Sequence, residues 1–276
     1  MDSKLQQAAE TILHAEALVI TSGAGMGVDS GLPDFRGDNG FWQAYPMYQH
    51  LDINFYAAAN PSHFADDPAF GWGFYGHRTN LYRQTEPHIG FDILQQWAQA
   101  LNLDTFVVTS NVDGQFQKAG FDPLKMFEVH GSIHHLQCQY PCSHDIWPND
   151  EQIPVDMHSM RAQHLPKCRN CQGVARPNIL MFNDFGWVNE RTSAQEQRFH
   201  KFLLSNSDKR LVIIEIGAGS AVPTIRNLTE QLGHKRHACA MRINPREPQI
   251  GGNNISLPLG ALEALIAIDH KLENIH

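Results

Sequence analysis

The chain has 276 residues, of which 42% are hydrophobic, and carries a formal net charge of -8 with no lysine- or arginine-rich run. This length suffices for one large domain or a domain with an insertion. The negative charge argues against nucleic acid as the main partner, because nothing is present to neutralise phosphates. Met1 to Glu10 is polar and no run of about 18 apolar residues occurs, so we expect no signal peptide and no membrane span. These features predict a cytoplasmic protein that acts on a protein or a small molecule.

Segments with helical and with strand periodicity alternate along the chain. An α/β fold is predicted by this alternation, with a doubly wound, mostly parallel, Rossmann-like sheet that binds ligands at the carboxyl ends of its strands. The predicted helices are 5–15, 93–101, 199–204, 224–232 and 259–268, and the predicted strands are 18–21, 105–109, 210–216 and 238–243.

A glycine-rich segment follows the first predicted strand. Gly23 and Gly25 allow a tight turn, after which backbone amides and a helix N-terminus could face a phosphate. The third glycine of the usual dinucleotide fingerprint is replaced by Val28. These residues alone therefore leave a nucleotide site and a purely structural turn both open.

Two regions interrupt the alternation. Residues 41–87 are rich in aromatic residues, Asn, Pro and Gly, which predicts a small helical lid. Residues 135–173 carry two close pairs of cysteines, which predict a zinc-binding insertion with a structural, tetrahedral zinc rather than disulfides or free thiols. His144, His158 and His164 are alternative ligands. The four predicted ligands are Cys138, Cys142, Cys168 and Cys171.

Several ordered motifs extend the pattern. The segment from Gly23 to Gly37 reads Gly-Ala-Gly-Met-Gly-Val-Asp-Ser-Gly-Leu-Pro-Asp-Phe-Arg-Gly. Later motifs are 109–114 (Thr-Ser-Asn-Val-Asp-Gly) with 119–120 (Ala-Gly), 128–132 (Glu-Val-His-Gly-Ser), the cysteine pairs, 176–182 (Arg-Pro-Asn-Ile-Leu-Met-Phe), 216–220 (Ile-Gly-Ala-Gly-Ser) and 243–244 (Ile-Asn). Over about residues 10 to 270 the chain thus resembles the sirtuins, the Sir2-like family of NAD-dependent protein deacylases.

The resemblance implies a protein lysine deacylase. Such an enzyme uses NAD and an acylated protein substrate, forms nicotinamide and O-acyl-ADP-ribose, and contains one structural zinc. We therefore expect one catalytic unit with a large NAD-binding domain at about 1–40, 88–134 and 174–276, beside the lid and the zinc-binding insertion. A protein mono-ADP-ribosyltransferase, an NAD glycohydrolase and a non-enzymatic NAD-sensing module remain alternatives.

His130 is the predicted catalytic base. An imidazole with a pKa near neutrality can accept a proton from a sugar hydroxyl. The resemblance adds Asn111 and Asp113, which would hold the nicotinamide carboxamide, and Phe35, which would exclude water. The implied cofactor-binding set is Gly23, Ala24, Gly25, Asp34, Phe35, Arg36, Ser110, Asn111, Asp113, Gly217, Ala218, Gly219, Ser220 and Asn244.

Tyr75 and Arg78 suggest an acyl preference. They resemble the Tyr-x-x-Arg of sirtuins that remove malonyl and succinyl groups. Residues three apart share a helix face, so a phenol and a guanidinium could together bind an acyl carboxylate. The alternative is that both are packing residues.

The chain also departs from the family pattern near the cofactor and the substrate. These departures make peptide deacylation less certain than NAD binding. ADP-ribosyl transfer, which also uses NAD, therefore remains an alternative. They are Gly27 for a serine, Ser110-Asn111 for Gln-Asn, Gln115-Phe116 for Leu-His, Phe182-Asn183-Asp184 for Phe-Gly-Glu, and Gly217-Ala218-Gly219 for Gly-Thr-Ser.

Overall fold

Helices and strands alternate through residues 1–34 and 37–275, the part of the chain that the computed structural model describes. The helices are α1 (Asp2–Leu13), α2 (Gly37–Ala44), α3 (Pro46–His50), α4 (Phe55–Ala58), α5 (Ser62–Asp66), α6 (Pro68–Gln84), α7 (Gly90–Ala100), α8 (Gln115–Lys118), α9 (Glu190–Ser205), α10 (Thr224–Gly233) and α11 (Ala261–Glu273). The strands are β1 (Ala17–Ser22), β2 (Asp104–Thr109), β3 (Met126–Glu128), β4 (Gly131–Cys138), β5 (Trp147–Pro148), β6 (Val155–Asp156), β7 (Arg161–Ala162), β8 (Ala175–Ile179), β9 (Leu211–Ile216), β10 (Ala238–Ile243) and β11 (Ile255–Leu257). In this part of the chain no helix is both long and apolar enough to cross a membrane.

The main sheet is parallel, with the strand order β3-β2-β1-β9-β10-β11. This is the order of the Rossmann fold, in which the chain direction across the sheet reverses between the first and the fourth strand. That reversal lies between β1 and β9, which are neighbours throughout their length. Every residue of both strands is buried, as expected for a parallel sheet covered on both faces. The predicted fold class is confirmed.

Helices cover both faces of this sheet. On one face α1, α7 and α11 contribute apolar side chains to a core that includes Ile12, Trp97 and Ile268. On the other face α9 and α10 supply Phe199 and Ile225. The sheet is therefore doubly wound.

A second, antiparallel sheet has the order β5-β4-β8 and carries the cysteine-bearing segment. Periodicity did not predict β4 or β8, although the family resemblance implied a substrate strand at 176–182, which overlaps β8. Helices of the expected lid region pack on this sheet: Trp72 of α6 is fully buried and donates its indole N–H to the carbonyl of Ala175 at 2.8 Å. One apolar cluster joins lid residues such as Phe64 to Leu136 of β4. The exact division of the chain into three domains stays a prediction.

Candidate active site

A cavity of about 920 Å³ lies where β1, β2 and β9 end. Its size falls in the upper part of the range of roughly 300–1,000 Å³ for ligand pockets. It brings together residues from motifs up to almost 200 positions apart in the sequence. The predicted site residues that line it are Gly23, Ala24, Asp34, Tyr75, Arg78, Ser110, Asn111, Asp113, His130, Gly217, Ala218, Gly219 and Ser220.

Among the described residues of the predicted cofactor-binding set, Gly25 and Asn244 do not line the cavity. Gly25 and Asn244 support the turns behind it: Asn244 is buried and donates its side-chain N–H to the carbonyl of Ala218 at 2.9 Å. Phe35 and Arg36 lie outside the described residues. The proposed role of Phe35 in excluding water therefore stays a prediction.

The turns after β1 and β9 interlock through their backbones. Gly23 donates its N–H to Ile216 at 3.0 Å, and Gly25 donates to Gly217 at 3.0 Å. A Cβ on Gly23 would lie 2.8 Å from the Cα of Ala218. Gly217 has φ +65, and a Cβ there would lie 2.4 Å from backbone atoms of Gly25. Glycine is required at both positions because the two turns approach each other closely.

The expected α-helix directly behind the first glycine turn is absent. Two short 3₁₀ turns, Ala24–Met26 and Val28–Ser30, follow β1 instead. The second turn ends at Gly31, whose φ of +86 stops further helical winding. The prediction of a helix N-terminus here was wrong, so any anion would be met by the turn backbone rather than by a helix dipole.

Asn111 and Asp113 follow β2 and reach the same cavity. The Asn111 side chain donates to the carbonyl of Gly23 at 3.0 Å, which fixes its amide at the cavity wall. The Asp113 carboxylate accepts the backbone N–H of Gln115 at 2.9 Å. Burial raises the pKa of Asp113 to about 6, since the charged form is poorly solvated there. Asp113 can therefore exist close to neutral pH in either protonation state.

His130 lies between β3 and β4 at the cavity wall. Gly131, the next residue, has φ +79, and a Cβ on it would lie 2.1 Å from the carbonyl oxygen of Asn178. The backbones of β4 and β8 approach each other closely here, and this contact fixes the backbone direction directly after His130. Burial lowers the pKa of the imidazole, and its hydrogen bond to the backbone of Ser110 opposes this only in part. The ring is therefore neutral at pH 7 and able to accept a proton.

Tyr75 and Arg78 are both buried and line the cavity, as the sequence suggested. Arg78 donates from Nε and Nη2 to the hydroxyl of Tyr82 at 2.9 and 2.7 Å. Its guanidinium also lies over the rings of Phe74, Tyr75 and Tyr82, at 5.1, 5.6 and 5.3 Å from their centroids. The sequence analysis missed Tyr82, although its spacing of four from Arg78 on one helix face was a usable signal.

The turn after β9 is held by Glu247 and Arg226, which the sequence analysis missed. Ser220 donates its hydroxyl to the carboxylate of Glu247 at 2.5 Å. Arg226 of α10 donates from Nη1 to the carbonyls of Ala218 and Glu247, at 3.2 and 3.1 Å. Arg226 thus links the loop of Ala218 to the loop of Glu247, and both loops line the cavity. No sequence pattern predicted this role.

The four predicted zinc ligands converge. All four Sγ atoms lie within 4.8 Å of one another, with 3.7 Å between Cys138 and Cys171 and 3.6 Å between Cys142 and Cys168. Sulfurs about 2.3 Å from a tetrahedral zinc are about 3.8 Å apart, whereas a disulfide needs about 2.05 Å. The set fits one structural zinc with a closed coordination sphere.

The three histidines considered as alternative ligands do not join this set. His144 contacts the carboxylate of Glu190, and His164 contacts that of Glu151. His158 is exposed in a turn after β6. Among the described residues, the sulfur cluster contains cysteines alone.

Comparison with known proteins places these features in one family. The model of the Sir2 family matches residues 23–222. An NAD-dependent protein deacylase of Thermococcus kodakarensis is 30% identical over 180 residues, which are 65% of this chain and 65% of that protein. NAD-dependent protein deacylase 2 of Pyrobaculum aerophilum is 29% identical over 82% of this chain and 80% of its own length.

Two solved structures show the same fold. A Sir2 homologue in complex with NAD has a TM-score of 0.72 at 23% identity, covering 98% of this chain and 94% of that one. A complex of a Sir2 homologue mutant with ADP-ribose has a TM-score of 0.71 at 22% identity, covering 98% and 97%.

Proposed function

This chain belongs to the Sir2 family, and we propose that it is an NAD-dependent protein lysine deacylase. The observation that carries the proposal is the convergence of His130, Asn111 and Asp113 on one cavity at the point where the strand order of a Rossmann sheet reverses. Ligands bind at such points in open α/β sheets. Relatives named NAD-dependent protein deacylase support the reaction type.

The cavity fits NAD in size and in the placement of its polar groups. The interlocked turns at Gly23 and Gly217 lie at the ends of adjacent parallel strands, where a diphosphate can approach the backbone closely. Ser220 lines the cavity after β9, on the side that suits the adenosine ribose, and Asn244 supports this turn from behind. Asn111 and Asp113 lie on the other side and would orient the nicotinamide carboxamide.

Bound NAD would supply a ribose C1′ that loses nicotinamide and bonds to the acyl oxygen of the substrate. His130 holds a neutral imidazole at the cavity wall and would take a proton from a ribose hydroxyl. A positioned general base of this kind contributes roughly 10²- to 10⁴-fold to a rate. The deprotonated hydroxyl would attack the acyl carbon, one water molecule would be consumed as the lysine amine leaves, and the products would be free lysine, nicotinamide and O-acyl-ADP-ribose.

Arg78 supports an additional capacity for acyl groups that end in a carboxylate. Its guanidinium is buried at the cavity wall, and the hydroxyl of Tyr82 restrains its orientation. A charge-assisted hydrogen bond from this group to an acyl carboxylate would favour malonyl or succinyl over acetyl groups. The buried Tyr75, whose pKa burial raises to about 12, stays a neutral donor beside it.

The four cysteines also indicate the cellular compartment in which the protein acts. Thiols gathered for zinc rather than joined as disulfides favour a reducing environment such as the cytoplasm.

Mass spectrometry of the products tests the proposed reaction. The protein is incubated with NAD and a mixture of acetyl- and succinyl-lysine peptides. Deacylated peptide together with O-acyl-ADP-ribose is the expected result. ADP-ribosylated protein would instead identify a transferase, and free ADP-ribose with intact acyl peptides would identify a glycohydrolase.

A further inference from the structure

Phe185 is wholly exposed, with 101% relative accessibility, in the loop that follows β8. It comes directly after Phe182, Asn183 and Asp184, which line the active-site cavity. A single exposed apolar side chain is common on protein surfaces and needs no explanation by itself. Two features of its surroundings make Phe185 different.

The first feature is that the loop is anchored on both sides of Phe185. Asp184 accepts hydrogen bonds from Nη1 and Nη2 of Arg176 at 2.7 and 2.8 Å, and both side chains are 1% exposed. The same carboxylate accepts the backbone N–H of Gly186 at 3.1 Å and that of Met181 at 3.3 Å. A buried bidentate ion pair thus holds the backbone of the loop. Little backbone freedom remains to be lost when Phe185 meets a partner.

The second feature is an apolar lip at the cavity mouth. The rings of Tyr56 and Phe182 lie 4.4 Å apart between centroids, and Leu180 is exposed beside them. All three line the cavity. A protein that inserts a modified lysine into this cavity must lay the neighbouring residues of its chain over the lip and the loop. Phe182 of the lip precedes Phe185 by only three positions in the same loop, so a segment that crosses the lip comes within reach of the exposed ring.

We propose that Phe185 selects acylated protein segments with an apolar side chain next to the acyl-lysine. The inference rests on the proposed deacylase function and names the partner of that site. An apolar neighbour would cover the Phe185 ring and remove both surfaces from water, whereas a polar or charged neighbour would gain nothing there. Because the loop is already ordered, the gain appears as tighter binding of the segment and not as faster chemistry.

Three acetyl-lysine substrates and the variant Phe185→Ser test this inference. One peptide has leucine on both sides of the acetyl-lysine, the second has serine on both sides, and the third substrate is a single blocked acetyl-lysine. We expect the wild type to prefer the leucine peptide, and Phe185→Ser to lower kcat/KM for it by about 5- to 30-fold, chiefly through KM. The serine peptide should change less than twofold, and the single acetyl-lysine should not change.

Leu124→Ser is the matched control. Leu124 is 65% exposed in the 3₁₀ turn Pro123–Lys125 and does not line the cavity. This variant should leave all three substrates unaffected, and both substitutions should leave the melting temperature unchanged because neither side chain is packed.

The failure of this inference can be told apart from that of the proposed function. An active wild type whose leucine peptide is unaffected by Phe185→Ser, or whose three substrates all fall equally, overturns the role of Phe185 alone. A wild type that deacylates none of the three, and none of the same substrates carrying succinyl-lysine, overturns both.

Discussion

Gly25 donates its backbone N–H to the carbonyl oxygen of Gly217 across 3.0 Å, which joins the turn after β1 to the turn after β9. These strands flank the point where the order of the sheet reverses. The bond therefore ties together the two loops between which the cavity opens. It exists because neither loop has a side chain at the point of contact.

Gly217→Ala should destabilise the protein by about 2–4 kcal/mol. The new Cβ would meet the backbone of Gly25 at 2.4 Å, and alanine disfavours φ +65. Urea unfolding monitored by circular dichroism measures the change. Gly219→Ala is the control, because a Cβ there meets no atom within 4 Å and should cost less than about 1 kcal/mol. Equal stabilities of the two variants would contradict the interlocked turns.

His130→Ala should bind NAD normally but lose product formation by roughly 100-fold or more. Binding is measured by calorimetry and turnover by nicotinamide release. In the wild type, kcat/KM should be constant above the pKa values of both His130 and Asp113 and fall as pH drops through that of His130, because only the neutral ring accepts a proton. Burial lowers that pKa, so the acid limb should lie below pH 6.5. Near-normal turnover in the variant would remove His130 as the base.

Purified protein should contain about one zinc per chain, measured by elemental analysis. Cys168→Ser should lose the metal and unfold or aggregate, because a structural zinc site contributes directly to folding. Cys239→Ser is the control. Cys239 lies on β10 outside the cluster, so this variant should retain zinc. Folded wild type without zinc would be the contrary result.

Arg78→Met should reduce desuccinylation and demalonylation roughly 10- to 150-fold more than deacetylation, as expected for loss of hydrogen bonds worth about 1.5–3 kcal/mol to a carboxylate. The ratio of kcat/KM for succinyl and acetyl peptides is the readout. Arg83→Met is the control: Arg83 also lies on α6 but contacts the backbone of Asn149 and Glu151 outside the cavity. An equal fall for both peptides would assign Arg78 to the fold or the cofactor.

Arg226→Met should weaken NAD binding about 5- to 50-fold with little change in kcat. The methionine cannot donate to Ala218 and Glu247, so the two loops lose their common tie, and each lost hydrogen bond costs about 1 kcal/mol. Arg226→Lys should restore part of the affinity. Arg198→Met, which removes one hydrogen bond to the backbone of Leu124, should leave NAD affinity unchanged. A lower kcat with unchanged affinity would contradict this role.

Much of the main sheet was predictable because its strands are buried on both faces and so appear as apolar runs. The strand predicted at 238–243 coincides with β10, and the one predicted at 210–216 differs from β9 by a single residue. Periodicity alone did not indicate β8, because Arg176 and Asn178 interrupt its apolar pattern. Both are fully buried: Arg176 donates to Asp184, and Asn178 donates to Gln137 and to the backbone of Val188. Such a strand is stabilised by partners that its own residues do not announce.

The sequence by itself determined the alternation of elements, the glycines at the strand ends and the cysteine spacing, because periodicity, φ preference and ligand type belong to the residues themselves. Only the tertiary structure decided that Arg226 links two loops, that Tyr82 orients Arg78 and that Asp184 anchors the loop bearing Phe185. It also replaced the expected helix after Gly25 by 3₁₀ turns. Each of these depends on which surfaces meet when distant segments pack, and local patterns do not record that.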